Sequence, residues 1–159
     1  MITMRIKTAC LCFGLVLCHT AQALEVPAVI RTFYGNFSVP SPAPNAELIA
    51  ATTTEDWKSC TTPDQCRDRD ISSKVFAGFA KAIPNLKHEI KEVIVTSDRI
   101  VVRGALSGTP SGEFFGLPHT GRSFAISTID VHEMRGDRIA RTWHLEDWAD
   151  ALAQLRGAK

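Results

Sequence analysis

Apolar positions along this chain follow two different periods. Val26, Val29, Ile30, Phe33 and Phe37 fall at i, i+3, i+4, i+7 and i+11, which is one stripe along a helix. The stretch "SVPSPAPN" then breaks the pattern with three prolines and reads as a loop. Residues 46–53 read as a short second helix, and "EDWKSC" as a brief strand carrying Trp57. Val75, Phe76, Phe79 and Ile83 form the stripe of a third helix, capped by Asp70 or Ser72 and stopped by Pro84. From there the period is two. "HEIKEVIV", "RIVVRGALSG", "RSFAISTIDVHEM" and "RIARTWHLE" read as strands, with turns at "TSD" and "RGD". Trp148, Leu152 and Leu155 return to helical spacing. Helices first and antiparallel strands second predict an α+β domain. Its sheet must bury one face, and the early helices are its cover, lying across a curved sheet and leaving a pocket at the open end.

The first 23 residues do not belong to this pattern. Arg5 and Lys7 precede an apolar run over residues 9–18, and Ala21-Gln22-Ala23 follows as an A-x-A site. This is the layout of a cleaved secretory signal peptide, and the run is half of the ~20 residues that span a bilayer. A domain over residues 24–159 remains, exported to the periplasm or medium and without a stable membrane anchor. The leader carries two of the 18 basic residues and none of the 17 acidic ones, so the formal charge of the remainder is −1. No basic cluster interleaves with aromatics, which argues against a nucleic-acid partner.

The leader also takes Cys10, Cys12 and Cys18 with it. Cys60 and Cys66 are left, flanking the polar turn-like "TTPDQ". In an exported protein a disulfide closing this loop is the natural reading, against two free thiols. The spacing is not that of a C-x-x-C redox pair, and the segment offers too few ligands for zinc. His88 has no ligand spacing to another histidine, and no metal is expected.

"IPNLKHEI", "GEFFGLPHTGR", "IDVHEMRGDRI" and "HLEDWADALAQL" stand in the order and spacing of the SnoaL-like polyketide cyclase (ester cyclase) family, which the chain resembles from about Val26 to Leu155. The resemblance implies a cone-shaped α+β barrel of the nuclear transport factor 2 type: a curved antiparallel sheet covered by N-terminal helices. It also implies intramolecular aldol-type chemistry with no metal or cofactor. The family's acid–base aspartate lies in the last strand, and a histidine faces it from the preceding strand. Here His144 holds the last-strand position and Asp130 the facing one, so the pair is kept with its residue types exchanged.

Side-chain parity tests that pair. Phe124, Ile126, Thr128, Asp130 and His132 share one face of the penultimate strand, and Ala140, Thr142, His144 and Glu146 share one of the last. An odd connecting loop brings Asp130 opposite His144. A two-residue Gly136-Asp137 hairpin pairs Asp130 with Trp143 instead. An aspartate beside a histidine orients the imidazole, and in an apolar pocket such a base takes a proton next to a carbonyl. A structural ion pair reads from the same residues. Trp57, Phe115, Thr128 and His132 are the candidate pocket residues, with core packing or a rim position as the plainer reading of each. Glu146 and Asp147 read as structural, with Asp147 the N-cap of the final helix. His119 in "PHTGR" reads as exposed. Arg103 is expected on the outer sheet face, where a homodimer contact is an option. The functional expectation is an exported, cofactor-free acid/base enzyme of cyclase, isomerase or lyase type, acting on a small hydrophobic carbonyl compound. The alternatives are a small-molecule binder with the same pocket and no turnover, and a dimerising module.

Overall fold

The computed structural model describes residues 25–157. The expected leader and its expected cleavage site lie outside them. None of the described helices is long and apolar enough to cross a membrane. In chain order the elements are α1 (Ala28–Tyr34), a 3-10 turn (Gly35–Phe37), α2 (Asn45–Thr52), β1 (Thr53–Thr62), β2 (Gln65–Arg67), α3 (Arg69–Ala82), β3 (Lys87–Val95), β4 (Arg99–Gly108), β5 (Phe124–Arg135), β6 (Arg138–Glu146) and α4 (Trp148–Arg156). Asp68, rather than Asp70 or Ser72, caps α3: its Oδ1 accepts the Ile71 N–H at 3.0 Å. Asp147 caps α4 through the Asp150 N–H, as its position one residue before the helix predicts.

The six strands form one curved, open sheet in the order β2-β1-β6-β5-β4-β3. All neighbours are antiparallel except β1 and β6, which run parallel. The brief strand expected around Trp57 is thus ten residues long and extends the sheet beyond β6. The helices cover the concave face in two apolar clusters. Ile30, Phe33, Ile49, Trp57, Val102 and Ile139 anchor one, and Leu86, Leu106, Phe124, Ile126 and Leu155 the other.

β5 alternates buried and exposed from Phe124 to His132, the period-two pattern of a half-buried strand. β6 does not keep one parity. Gly136, at φ 64°, and Asp137 form a two-residue turn that pairs Arg135 with Arg138 and Met134 with Ile139. The register then shifts by one residue, and Glu133 pairs with Arg141. Ala140 is the extra residue of this bulge. Ile139 therefore points into the core before the bulge, and Thr142, His144 and Glu146 do so after it. The hairpin has the short loop and still sets Asp130 opposite His144.

Candidate active site

The inner-face residues of β5 and β6 meet α1 in a buried polar chain whose hydrogen-bond directions follow from Asp130. Tyr34 donates its one hydroxyl proton to Asp130 Oδ2 at 2.5 Å, so its oxygen accepts from His132 Nε2–H at 3.2 Å. In a neutral His132 the other nitrogen, Nδ1, then accepts from the Thr142 hydroxyl at 3.0 Å. Thr142 Oγ1 accepts the Trp57 indole N–H at 3.1 Å. Asp130 Oδ1 accepts from His144 Nδ1 at 2.9 Å. His144 Nε2 lies 3.3 Å from Glu146 Oε2, which also accepts the Trp148 indole N–H at 2.6 Å. Every donor in the chain points to the next acceptor with no proton left over.

The two histidines are in opposite states. Burial lowers His132 to about 4, outweighing the Asp130 charge, so it is neutral, as the chain requires. Burial also works against a charge on His144. The hydrogen bonds to Asp130 and Glu146 and the charges of both outweigh it and raise the imidazole to about 10. Asp130 is pushed up by burial, yet the hydrogen bond and charge of His144 hold it below the usual aspartate value. Burial, with the Asp130 charge, drives the Tyr34 phenol well above its ordinary value, so it remains a donor. At neutral pH His144 is therefore an imidazolium, set between Asp130 and Glu146, with a proton on each nitrogen.

A cavity of about 430 Å³ opens onto one end of this chain. Phe37, Phe76, Phe79, Leu86, Leu106 and Trp148 give it apolar walls, and His144 and Glu146 supply polar groups. Phe115 also lines it, half-exposed, with a backbone φ of 47° that favours glycine. Such a left-handed residue beside a cavity is the kind of local strain that collects at functional sites.

The other sequence candidates lie beneath the cavity. Trp57 is fully buried among Phe33 and Ile139, because β1 is carried past β6 into the core. His132 is fully buried behind Tyr34. Thr128, 2 % exposed, bonds His88 Nε2 at 2.9 Å. These three support the site and do not line it. His119 is exposed and Arg103 pairs with Glu92 on the outer face, as read from sequence.

The sequence reading missed four contributors. Glu146 was assigned to the helix junction, although its parity with His144 placed it on the inner face. Tyr34 sits in the first stripe, and nothing local connects it with Asp130, 96 residues away. His88 stacks on Tyr34 at 4.4 Å and fits into the sheet because residue 104 is glycine. A Cβ there would stand 2.4 Å from the His88 ring. Arg67 lines the cavity from β2.

Among the described residues there is no cluster of three or more metal-ligating side chains.

The fold is an α+β fold of the ketosteroid isomerase-like type. The family model for SnoaL-like polyketide cyclases matches residues 29–155, and the chain belongs to that family. It resembles IdmH of Streptomyces antibioticus, a candidate polyketide cyclase, at 25% identity and a TM-score of 0.68, over 80% of this chain and 96% of that one. It also resembles a candidate SnoaL-like polyketide cyclase from Jannaschia sp. CCS1, at 17% identity and a TM-score of 0.69, over 82% and 90% of the two chains. A ketosteroid isomerase-like protein from Catenulispora acidiphila, solved with trimethylamine, aligns at 15% identity and a TM-score of 0.67, over 85% and 96%. No curated protein matches this chain.

Proposed function

We propose that the protein is an exported, cofactor-free acid/base enzyme of cyclase, isomerase or lyase type, acting on a small hydrophobic carbonyl compound. The observation that carries this reading is His144 held between Asp130 and Glu146 on the wall of a largely apolar cavity. Glu146 Oε2 accepts the Trp148 indole N–H and lies 3.3 Å from His144 Nε2, so Oε1 is the carboxylate oxygen with no contact of either kind to a described residue. In the proposed step Oε1 removes a proton next to the substrate carbonyl. The neutralised Glu146 then holds His144 Nε2–H less strongly, and that N–H turns to the developing enolate oxygen. Asp130 keeps the ring charged and oriented, and Tyr34 and His132 keep Asp130 ionised and in place. Volume supports the substrate class, since the cavity lies within the ~300–1,000 Å³ of small-molecule pockets.

Export is supported by the leader pattern and by the Cys60–Cys66 disulfide, a bond typical of oxidising compartments. One observation favours a binder without turnover: both His144 nitrogens are already engaged. A turnover screen over aryl and alkyl carbonyl compounds separates the two, using wild type, Asp130→Asn, His144→Ala and the double variant, with melts alongside. The enzyme reading expects each single variant to lose most activity and the double to be little worse than either. Activity retained by folded His144→Ala would refute the role of His144. No turnover of any compound, with ligand affinity changed by the same variants, would support the binder.

A further inference from the structure

The cavity carries one charged side chain that the acid/base centre does not use. Arg67, at the end of the edge strand β2, lines the same space as His144 and Glu146. It is half-buried and makes no hydrogen bond or ion pair with any described residue. By contrast Arg69, two residues on, is tied to Thr53 Oγ1 at 3.0 Å. The neighbouring acid does not neutralise Arg67, because the Asp68 carboxylate is turned away to cap α3 through the Ile71 N–H.

The placement of Arg67 is fixed by covalent structure. β2 is only three residues long and pairs Arg67 with Ser59 and Cys66 with Cys60. The Cys60–Cys66 disulfide clips this short strand to β1, where Cys60 is fully buried and sits beside Trp143 of β6. The Arg67 backbone is thereby held where its side chain lines the cavity, together with the exposed Thr61 and Phe115. The charged groups lining the cavity are Arg67, the His144 imidazolium and Glu146. The Glu146–His144 pair lies on the β6 wall, and the Arg67 side chain has no ion-pair or hydrogen-bond partner among the described residues.

We infer that Arg67 selects the ligand: the cavity takes a hydrophobic carbonyl compound that carries an anionic group, a carboxylate or its equivalent, at the end away from the reacting carbonyl. This rests on reading the cavity as the substrate site. A planar guanidinium with free N–H donors pairs bidentately with a carboxylate or sulfonate. The apolar walls of the same cavity take the carbon skeleton.

Two fluorescent probes with one skeleton test this. Anilinonaphthalene sulfonate is anionic, and N-phenylnaphthylamine lacks the sulfonate and is neutral. Each is titrated into wild type, Arg67→Gln and Arg67→Lys. Wild type is expected to bind both probes. Arg67→Gln is expected to weaken the sulfonate roughly three- to tenfold, the range of a partly exposed charge-assisted contact, and to leave the neutral probe within about twofold. Arg67→Lys is expected to recover part of the sulfonate affinity. Unchanged sulfonate affinity in Arg67→Gln, or equal loss of both probes, would overturn the assignment while leaving the cavity as a binding site. Binding of neither probe to wild type would overturn both the assignment and the reading of the cavity.

Discussion

Replacing Asp130 by asparagine removes a charge and keeps the shape, and the structure sets how much that costs. The Asp130 side chain is 6% exposed, and it holds His144 Nδ1 at 2.9 Å and the Tyr34 hydroxyl at 2.5 Å. The amide no longer offers an anion to the imidazolium, which keeps Glu146 alone, and its NH2 group cannot accept, so one of the two donors loses its acceptor. Breaking a buried ion pair on one side costs ~3–5 kcal/mol. For a domain of this size that lowers Tm by roughly 10–20 °C. Asp130 lies outside the apolar stripes, and the bond from Tyr34 ties it into the core.

The cost depends on pH in a definite direction. His144 rises from 6.5 to about 10 on folding, so its contribution is complete below pH 6.5 and is lost as pH climbs through about 10. Asp130 is lowered from 3.8, so its contribution is present above that value and is lost as pH falls below it. Thermal melts of wild type and Asp130→Asn should therefore show their widest gap between about pH 4 and pH 6.5 and a closing gap toward pH 10.5. Repeating the series in a His144→Gln background separates His144 from the tyrosine and lysines that titrate in the same range. There the loss from Asp130→Asn should be smaller and should no longer close at alkaline pH. A gap below about 1 kcal/mol, or one that stays flat through pH 10.5, would refute the charged-pair account.

Further outcomes follow from single features. Gly104→Ala brings a Cβ within 2.4 Å of the His88 ring and 2.8 Å of Thr128 Oγ1, and should cost ~1–3 kcal/mol in denaturant melts. Cys60 and Cys66 should show no free thiol in the unreduced, unfolded protein, and reduction should lower stability by ~2 kcal/mol. N-terminal sequencing of the exported protein should begin at Leu24; an intact Met1 or a lipid on Cys18 would contradict the leader reading.

Much of this architecture was written locally. The switch from helical period to strict alternation at residue 88 divides the covering helices from β3 to β6, and it follows from hydrophobic pattern alone. The buried face of β5 was equally legible, since alternation assigns Thr128, Asp130 and His132 to one side. Long-range features were not. β1 runs parallel to β6, and no local pattern announces a pairing across some 80 residues. The bulge at Ala140 changes parity mid-strand, so counting from either end of β6 gives a different inner face. That is why the sequence left the His144 register open between two loop lengths, and why the outcome combines the shorter loop with the pairing of the longer one. Trp57, Thr128 and His132 were rightly read as inward-facing, but inward at their depth means core. Parity gives a face and no depth.

In the proposed function Glu146, with His144 beside it, moves a proton next to a carbonyl. Deuterium exchange into the α-position of a cavity-sized aryl ketone in D2O, followed by NMR, reads that step without requiring the rest of any reaction. Wild type should exchange above the buffer rate, and Glu146→Gln should fall to the buffer rate while the neutral naphthylamine probe still binds. Exchange by Glu146→Gln at the wild-type rate would contradict it, as would wild type that binds the ketone and does not exchange it.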